Sequence, residues 1–242
     1  MTRASTRRSG RSGDRGSRSS WRRSRRCSRT TPTSTSARCR CRCRCSCLHC
    51  RTVIEIADFV AHAPVPAATI DRYRGRVSDE LIDIWERYGY GSFADGFFQI
   101  IDPDLYLDQL GTEGIGYVPR VEGAESIPIL TTGLADLVCW EPDESGLSAT
   151  VFRNNTGTGL GSSLKTLFTI LNQHGIALLA DRIDYEMYPK AVAAHGPLAY
   201  GESFMYVPLL SLGGAKDVAN MHKRETSTAM RIFLEFQGPV QH

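Results

Sequence analysis

Apolar positions along the chain fall into two regimes. The first fifty residues hold little apolar content apart from Trp21 and Leu48, whereas from Val53 onward apolar residues recur at helical or strand spacing. Ile56, Phe59, Val60 and Ala63 keep the i, i+3, i+4, i+7 spacing of one helix face, so a short helix is expected over Val53 to Ala63, broken by Pro64 and Pro66. A stronger helix signal follows Arg76. Ser78 is a candidate N-cap, Asp79 and Glu80 occupy the first turn, and Leu81, Trp85 and Tyr88 line one face. Arg87 sits in the last turn and Gly89 supplies the stop.

Tyr90 to Gly96 reads as a glycine-punctuated loop, Phe97 to Ile101 as a buried strand, and Asp102-Pro103 opens a short helix through Leu110. Ile127 to Leu130, Ala135 to Trp140 and Ser148 to Phe152 read as strands. Pro128 marks the first of them as an edge, because proline cannot donate a ladder hydrogen bond. Residues 142–146 (PDESG) make the turn between the last two. Asn154 to Ser163 (NNTGTGLGSS) reads as a flexible connector. Its glycines precede a helix, yet Lys165 arrives too late for a Walker loop, and the parallel βαβ unit of a dinucleotide site is missing.

Leu164, Leu167, Phe168 and Leu171 mark an amphipathic helix, Ile176 to Ile183 is ordered but ambiguous in type, and Tyr188 to Ala194 is a short helix ended by Gly196-Pro197. In the stretch Gly196 to Asn220, the run Phe204 to Val207 ends in Pro208, and Leu209, Leu210 and Leu212 stop at Gly213-Gly214. That pattern predicts a short strand, an edge and a sharp reversal. Ala229, Ile232, Phe233 and Phe236 share one face of a last helix closed by Gly238-Pro239. The expected fold class is α+β: two small consecutive modules with antiparallel sheets, residues 53–155 and 156–242, after a disordered tail over 1–52.

Charge separates the tail from the rest. Residues 1–50 carry fifteen Arg against one acid, Asp14, whereas the remaining 192 residues carry fourteen basic and twenty-five acidic side chains, a net charge of −11. The tail has the charge of a nucleic-acid arm but a single aromatic for stacking. Cys45, Cys47, His49 and Cys50 offer metal donors without the second paired knuckle of a zinc site, so no metal is expected. The tail is not amphipathic, as a transit peptide would be. The Arg-Cys alternation from Arg38 to Cys45 matches a translated simple repeat, which places the expected natural start near Val53.

Past the tail the sole cysteine is Cys139, so no disulfide framework exists and a reducing cytoplasm suits the folded part. No apolar run is long enough to span a bilayer as a helix. Catalytic chemistry finds no constellation. His62, His174, His195, His222 and His242 show no paired ligand spacing, and Ser203 in Gly-Glu-Ser-Phe fails the nucleophile elbow. Cys139, between Val138 and Trp140, fits a buried thiol. Asp95, Asp102 and Asp104 suggest an acid cluster, but Asp102 before Pro103 fits a helix cap better. No enzyme activity and no cofactor are expected.

Two stretches resemble known families. Arg72 to Tyr106 is similar to the GAD-like domain through Tyr73, Gly75, Glu80, Leu81, Trp85, Gly89, Tyr90, Gly91, Phe93, Asp95, Gly96, Phe98, Asp102, Pro103 and Tyr106. Thr131 to Glu141 looks like that domain's later strand pair, with Leu137 in place of an aromatic residue. The stretch Gly196 to Asn220 resembles the DUF1851 module, the C-terminal domain of the type VI secretion immunity protein Tdi. It shares Gly-Pro-Leu, Gly-Glu, Tyr-Val-Pro, Leu-x-Leu-Gly-Gly, Asp217 and Asn220, while Tyr206 and Ser211 replace the usual Phe and Ala. The Arg-rich tail has no counterpart.

The resemblance implies a cytoplasmic immunity protein, or antitoxin, that binds a cognate type VI secretion DNase effector and protects the producing cell. The acidic excess of the folded part would steer it towards a basic, DNA-binding toxin. Glu141, Asp143 and Glu144, on an expected exposed turn, are candidate effector contacts, against the alternative of a solvated hairpin tip. Aromatic anchors such as Tyr90 and Phe93 are the other option, unless they belong to the core. The competing function is a nucleic-acid-binding or regulatory module that uses the basic tail.

Overall fold

In the computed structural model, residues 53–115, 125–142 and 146–240 are described. The tail expected to be disordered lies outside them. Among the described residues, seven strands form one antiparallel sheet in strict chain order. They are β1 (Val60–Ala63), β2 (Tyr90–Phe93), β3 (Phe98–Ile100), β4 (Ile127–Thr132), β5 (Leu137–Glu141), β6 (Gly146–Val151) and β7 (Thr156–Gly161). Helices α1 (Ala67–Tyr73) and α2 (Asp79–Tyr88) intervene between β1 and β2, and α3 (Pro103–Gly114) follows β3. After β7 come α4 (Leu164–His174), α5 (Ala180–Ile183) and α6 (Met187–His195). A two-stranded ribbon of β8 (Glu202–Tyr206) and β9 (Met221–Glu225) leads into α7 (Thr226–Gln237). The fold is α+β with antiparallel sheets.

Both faces of the sheet are covered, and β5 shows how. Successive side chains of a strand point to opposite faces. Leu137 and Cys139 join a core with Tyr106 of α3 and Met230 and Phe233 of α7. Val138 and Trp140 join a second core with Leu81 and Trp85 of α2 and Leu167 and Phe168 of α4. This two-sided burial explains why the strand reads as a continuous apolar run. Each large side chain so buried contributes roughly 1.5–3 kcal/mol relative to its exposed state.

Helix ends match their sequence signals. Ser78 Oγ accepts from the Leu81 amide at 3.3 Å at the start of α2, and Gly89 closes that helix with φ 75°. Asp102 caps α3 by accepting from the Asp104 amide at 3.1 Å. Ser163 caps α4 through the Thr166 amide at 3.1 Å. The stretch Gly196 to Asn220 contains β8 and a 3-10 turn at Leu210–Leu212, then reverses at Gly213 with φ 83°. Gly214 is required there, because a Cβ would meet the Pro208 carbonyl oxygen at 2.1 Å.

Several local expectations are corrected. Val53 to Ala63 is not a helix: residues 53–59 are irregular or turn and β1 pairs with β2, Val60 opposite Ser92. Four apolar residues at helical spacing do not outweigh a pairing partner when an isolated helix this short is marginal. Tyr90 to Phe93 is a strand rather than part of a loop. The expected connector Asn154 to Ser163 contains β7, paired along β6 from Val151–Thr156 to Leu147–Gly161. Pro128 does not mark an edge, since β4 is the central strand. The proline is accommodated where the β4–β5 register shifts, at a bulge that needs no amide from it. β7, at the start of residues 156–242, is the last strand of the seven-stranded sheet.

Candidate partner-binding cleft

The β2–β3 connection winds through three successive left-handed residues, Ala94, Asp95 and Gly96, at φ 53°, 55° and 79°. Two of these are not glycine and carry strain of order 1 kcal/mol each, so their surroundings must hold them. The carboxylate of Asp58, itself left-handed at φ 51°, accepts from the Ala94 amide at 3.2 Å and the Asp95 amide at 2.7 Å. From α6, the Tyr188 hydroxyl donates to the Asp95 carbonyl at 3.1 Å. The turn is thereby clamped by the N-terminal segment on one side and by the C-terminal half on the other.

Opposite the turn stand α4 and the segment after it. The Phe93 and Phe168 rings lie 5.1 Å apart. Asn172 ties in the N-terminal segment, donating to the Glu55 carbonyl at 2.7 Å and accepting from the Ala57 amide at 3.4 Å. Between them lies a cleft of about 180 Å³. Its walls are Phe93, Phe168, Leu171 and Ile176, and its charged lining groups are Asp58 and Asp95 alone. No basic residue lines it, and the ion pairs found among the described residues include neither carboxylate. Tyr185 also lines the cleft, its hydroxyl pushed above its ordinary pKa by burial and then by Asp95 and Asp58.

The residues singled out in the sequence land elsewhere. Glu141 ends β5 with 2% exposure, and its carboxylate accepts from Ser126 Oγ at 2.6 Å and from Ser148 Oγ, so it braces strands instead of facing solvent. Asp143 and Glu144 lie outside the described residues. The aromatic alternatives Tyr90 and Phe93 are buried, and Phe93 lines the cleft. Among the other singled-out residues, His62 stacks on Tyr200, His195 Nε2 meets the Val218 carbonyl at 2.9 Å, and Ser203 is fully buried. Burial drives the Cys139 thiol well above its usual pKa, which leaves an inert thiol. The acid cluster is dispersed: Asp102 caps α3, Asp104 pairs with Arg72 and accepts from Tyr73, and Asp95 rims the cleft. Among the described residues no group of His, Cys, Asp and Glu could hold a metal ion, and no helix is long and apolar enough to cross a membrane.

Asp58, Asn172 and Tyr185 escaped the sequence reading. Only the Asp95-Gly96 pair, a turn signal between apolar runs, pointed towards the place.

The two walls of the cleft coincide with two family matches. The GAD-like domain matches residues 51–152, and the family described as T6SS immunity protein Tdi1, C-terminal, matches residues 162–236. The two matches stand in the domain order that the sequence resemblance implied. The fold is similar to the crystal structure of Atu4351 from Agrobacterium tumefaciens, with a TM-score of 0.54 and 18% sequence identity. That similarity covers 72% of this chain and 84% of the other. Comparison with curated proteins returns no match.

Proposed function

We propose that this protein is a type VI secretion immunity protein that acts in the cytoplasm without catalysis, binding a cognate DNase effector and holding it inactive. The observation that carries this reading is the match of residues 162–236 to the C-terminal domain of the immunity protein Tdi1. The net charge of −11 past the tail supports a basic, DNA-binding target, because complementary charge accelerates encounter and suppresses wrong partners. Modules 53–155 and 156–242 would each supply one wall of the contact surface.

The test is co-expression of the full chain with the toxin encoded by the adjacent gene, scoring survival, DNA integrity and co-purification. Survival with intact DNA and a stable complex is the expected result. A folded chain that gives neither would refute the neutralising role for that pair. A second reading, nucleic-acid binding through the tail, draws on its fifteen arginines. It requires salt-dependent DNA binding that disappears when residues 1–52 are deleted.

A further inference from the structure

The cleft between the β2–β3 turn and α4 has a composition that selects its occupant. At about 180 Å³ it is smaller than the roughly 300 Å³ at which sites for drug-sized ligands begin, and matches the scale of one side chain. Its walls, Phe93, Phe168, Leu171 and Ile176, suit a methylene stem. At its rim the charge is all negative. Asp58 spends its two oxygens on the Ala94 and Asp95 amides, whereas Asp95 is exposed and takes part in no ion pair found among the described residues. The C-terminal end of α4 is capped by Gly175, which also lines the cleft, so the partial negative charge of the helix end adds to the same field. An apolar or acidic side chain entering here would strip water from a carboxylate without replacing it, and a neutral donor would leave its charge unbalanced.

We propose that the cleft receives one arginine or lysine side chain of the effector, its stem along Leu171 and Ile176 above the Phe93–Phe168 ring pair and its cationic head at Asp95. This rests on the immunity reading and adds the anchor that the complex uses. It also assigns a reason for joining the two family segments in one chain. Phe93 and Asp95 come from the GAD-like segment and Phe168 and Ile176 from the Tdi1-like one, so neither segment forms the site without the other.

The experiment measures the dissociation constant of the full chain for a catalytically inactivated form of the adjacently encoded toxin. Three variants are compared with the unaltered chain, each first checked for an unchanged thermal melt. Asp95→Asn removes the charge while keeping a residue type that tolerates the left-handed conformation, and should weaken binding about tenfold. Ile176→Trp fills the cleft and should weaken binding at least as much with no change of charge. Asp71→Asn, an exposed acid on α1, makes the same charge change elsewhere and should bind like the unaltered chain. Unchanged binding by Asp95→Asn or by Ile176→Trp overturns the proposal. An equal loss in Asp71→Asn also overturns it, by showing steering from overall charge. In each of these outcomes the immunity reading survives, since the unaltered chain still binds. Failure of the unaltered chain to bind would remove that reading, and the anchor with it.

Discussion

Arg153 and Asp136 form an ion pair in which the side chains are 1% and 0% exposed, at the point where the C-terminal segments meet the sheet. Arg153 lies in the 3-10 turn Phe152–Asn154 after β6, and donates from Nη2 to the Ile183 carbonyl at 2.7 Å. Asp136, before β5, also accepts from Thr132 Oγ1 at 2.8 Å. Asp184 approaches Arg153 Nε at 3.6 Å and is itself bonded by Lys216 at 2.8 Å. The arrangement ties β4–β5, β6 and the α5 region into one network.

Removing one partner of such a pair leaves an uncompensated buried charge, at a cost of about 3–5 kcal/mol. Arg153→Met should lower the urea midpoint accordingly. Burial pushes Asp136 above the ordinary carboxylate range, and Arg153 opposes it. Without Arg153 the folded-state pKa rises further, so the folded protein binds more protons than the unfolded chain over that range, and stability falls as pH rises. The deficit of Arg153→Met should therefore shrink on going from neutral to acidic pH. A pH-independent deficit would contradict this account.

Gly133→Ala should destabilise through a clash between segments. A Cβ at residue 133 would meet the Tyr188 ring at 2.3 Å and Leu198 at 3.1 Å. The ring has little room to retreat, since it packs against Phe97, Tyr185 and Phe204. Overpacking of this type costs about 1–3 kcal/mol. Calorimetry should show a lowered Tm, and a restored value in the double variant with Tyr188→Ala would not be expected, because a cavity then replaces the clash.

Glu225 caps α7, accepting from the Ser227 amide at 3.1 Å, the Thr228 amide at 2.6 Å and Ser227 Oγ. Replacement by alanine should cost about 1 kcal/mol. Burial works against ionisation of this carboxyl, but the bonds from Thr228 and Ser227 outweigh it and hold the pKa below the usual carboxylate value. A depressed folded-state pKa contributes stability above the unfolded value and loses it as pH falls through the folded one. Acid titration of the folded state should thus be less steep for Glu225→Gln than for the unaltered chain.

Asp58→Ala should loosen the turn that rims the cleft. It leaves the Ala94 and Asp95 amides without their partner while both residues stay left-handed. A loss of about 1–3 kcal/mol is expected. Hydrogen exchange localised to residues 93–97 is the check, and unchanged protection there would show that Tyr188 alone holds the turn.

Legibility in the sequence followed how local each cause was. The helix over Asp79–Tyr88 was readable because its cap, first-turn acids, apolar stripe and terminal glycine all lie within a dozen residues. The same holds for α4 and for the reversal at Gly213-Gly214. β9, with the sequence MHKRE, was missed because its apolar residue at one end is followed by charged, solvent-facing positions and its partner β8 lies across a long loop. The family resemblance was readable where aromatic and glycine positions keep their spacing.

From the chain alone, then, came the α+β class, the order of the two family segments, the charge division at the tail and the caps of the main helices. Each rests on composition or on neighbours in sequence. Tertiary structure decided that β7 extends the first sheet, that Pro128 sits at a bulge in a central strand, and that Glu141 is internal. It also decided that Asp58, Asp95 and Ile176 meet at one cleft. Those outcomes depend on which distant segments pair and pack, since a strand needs its partner, and a carboxylate takes its role from what surrounds it.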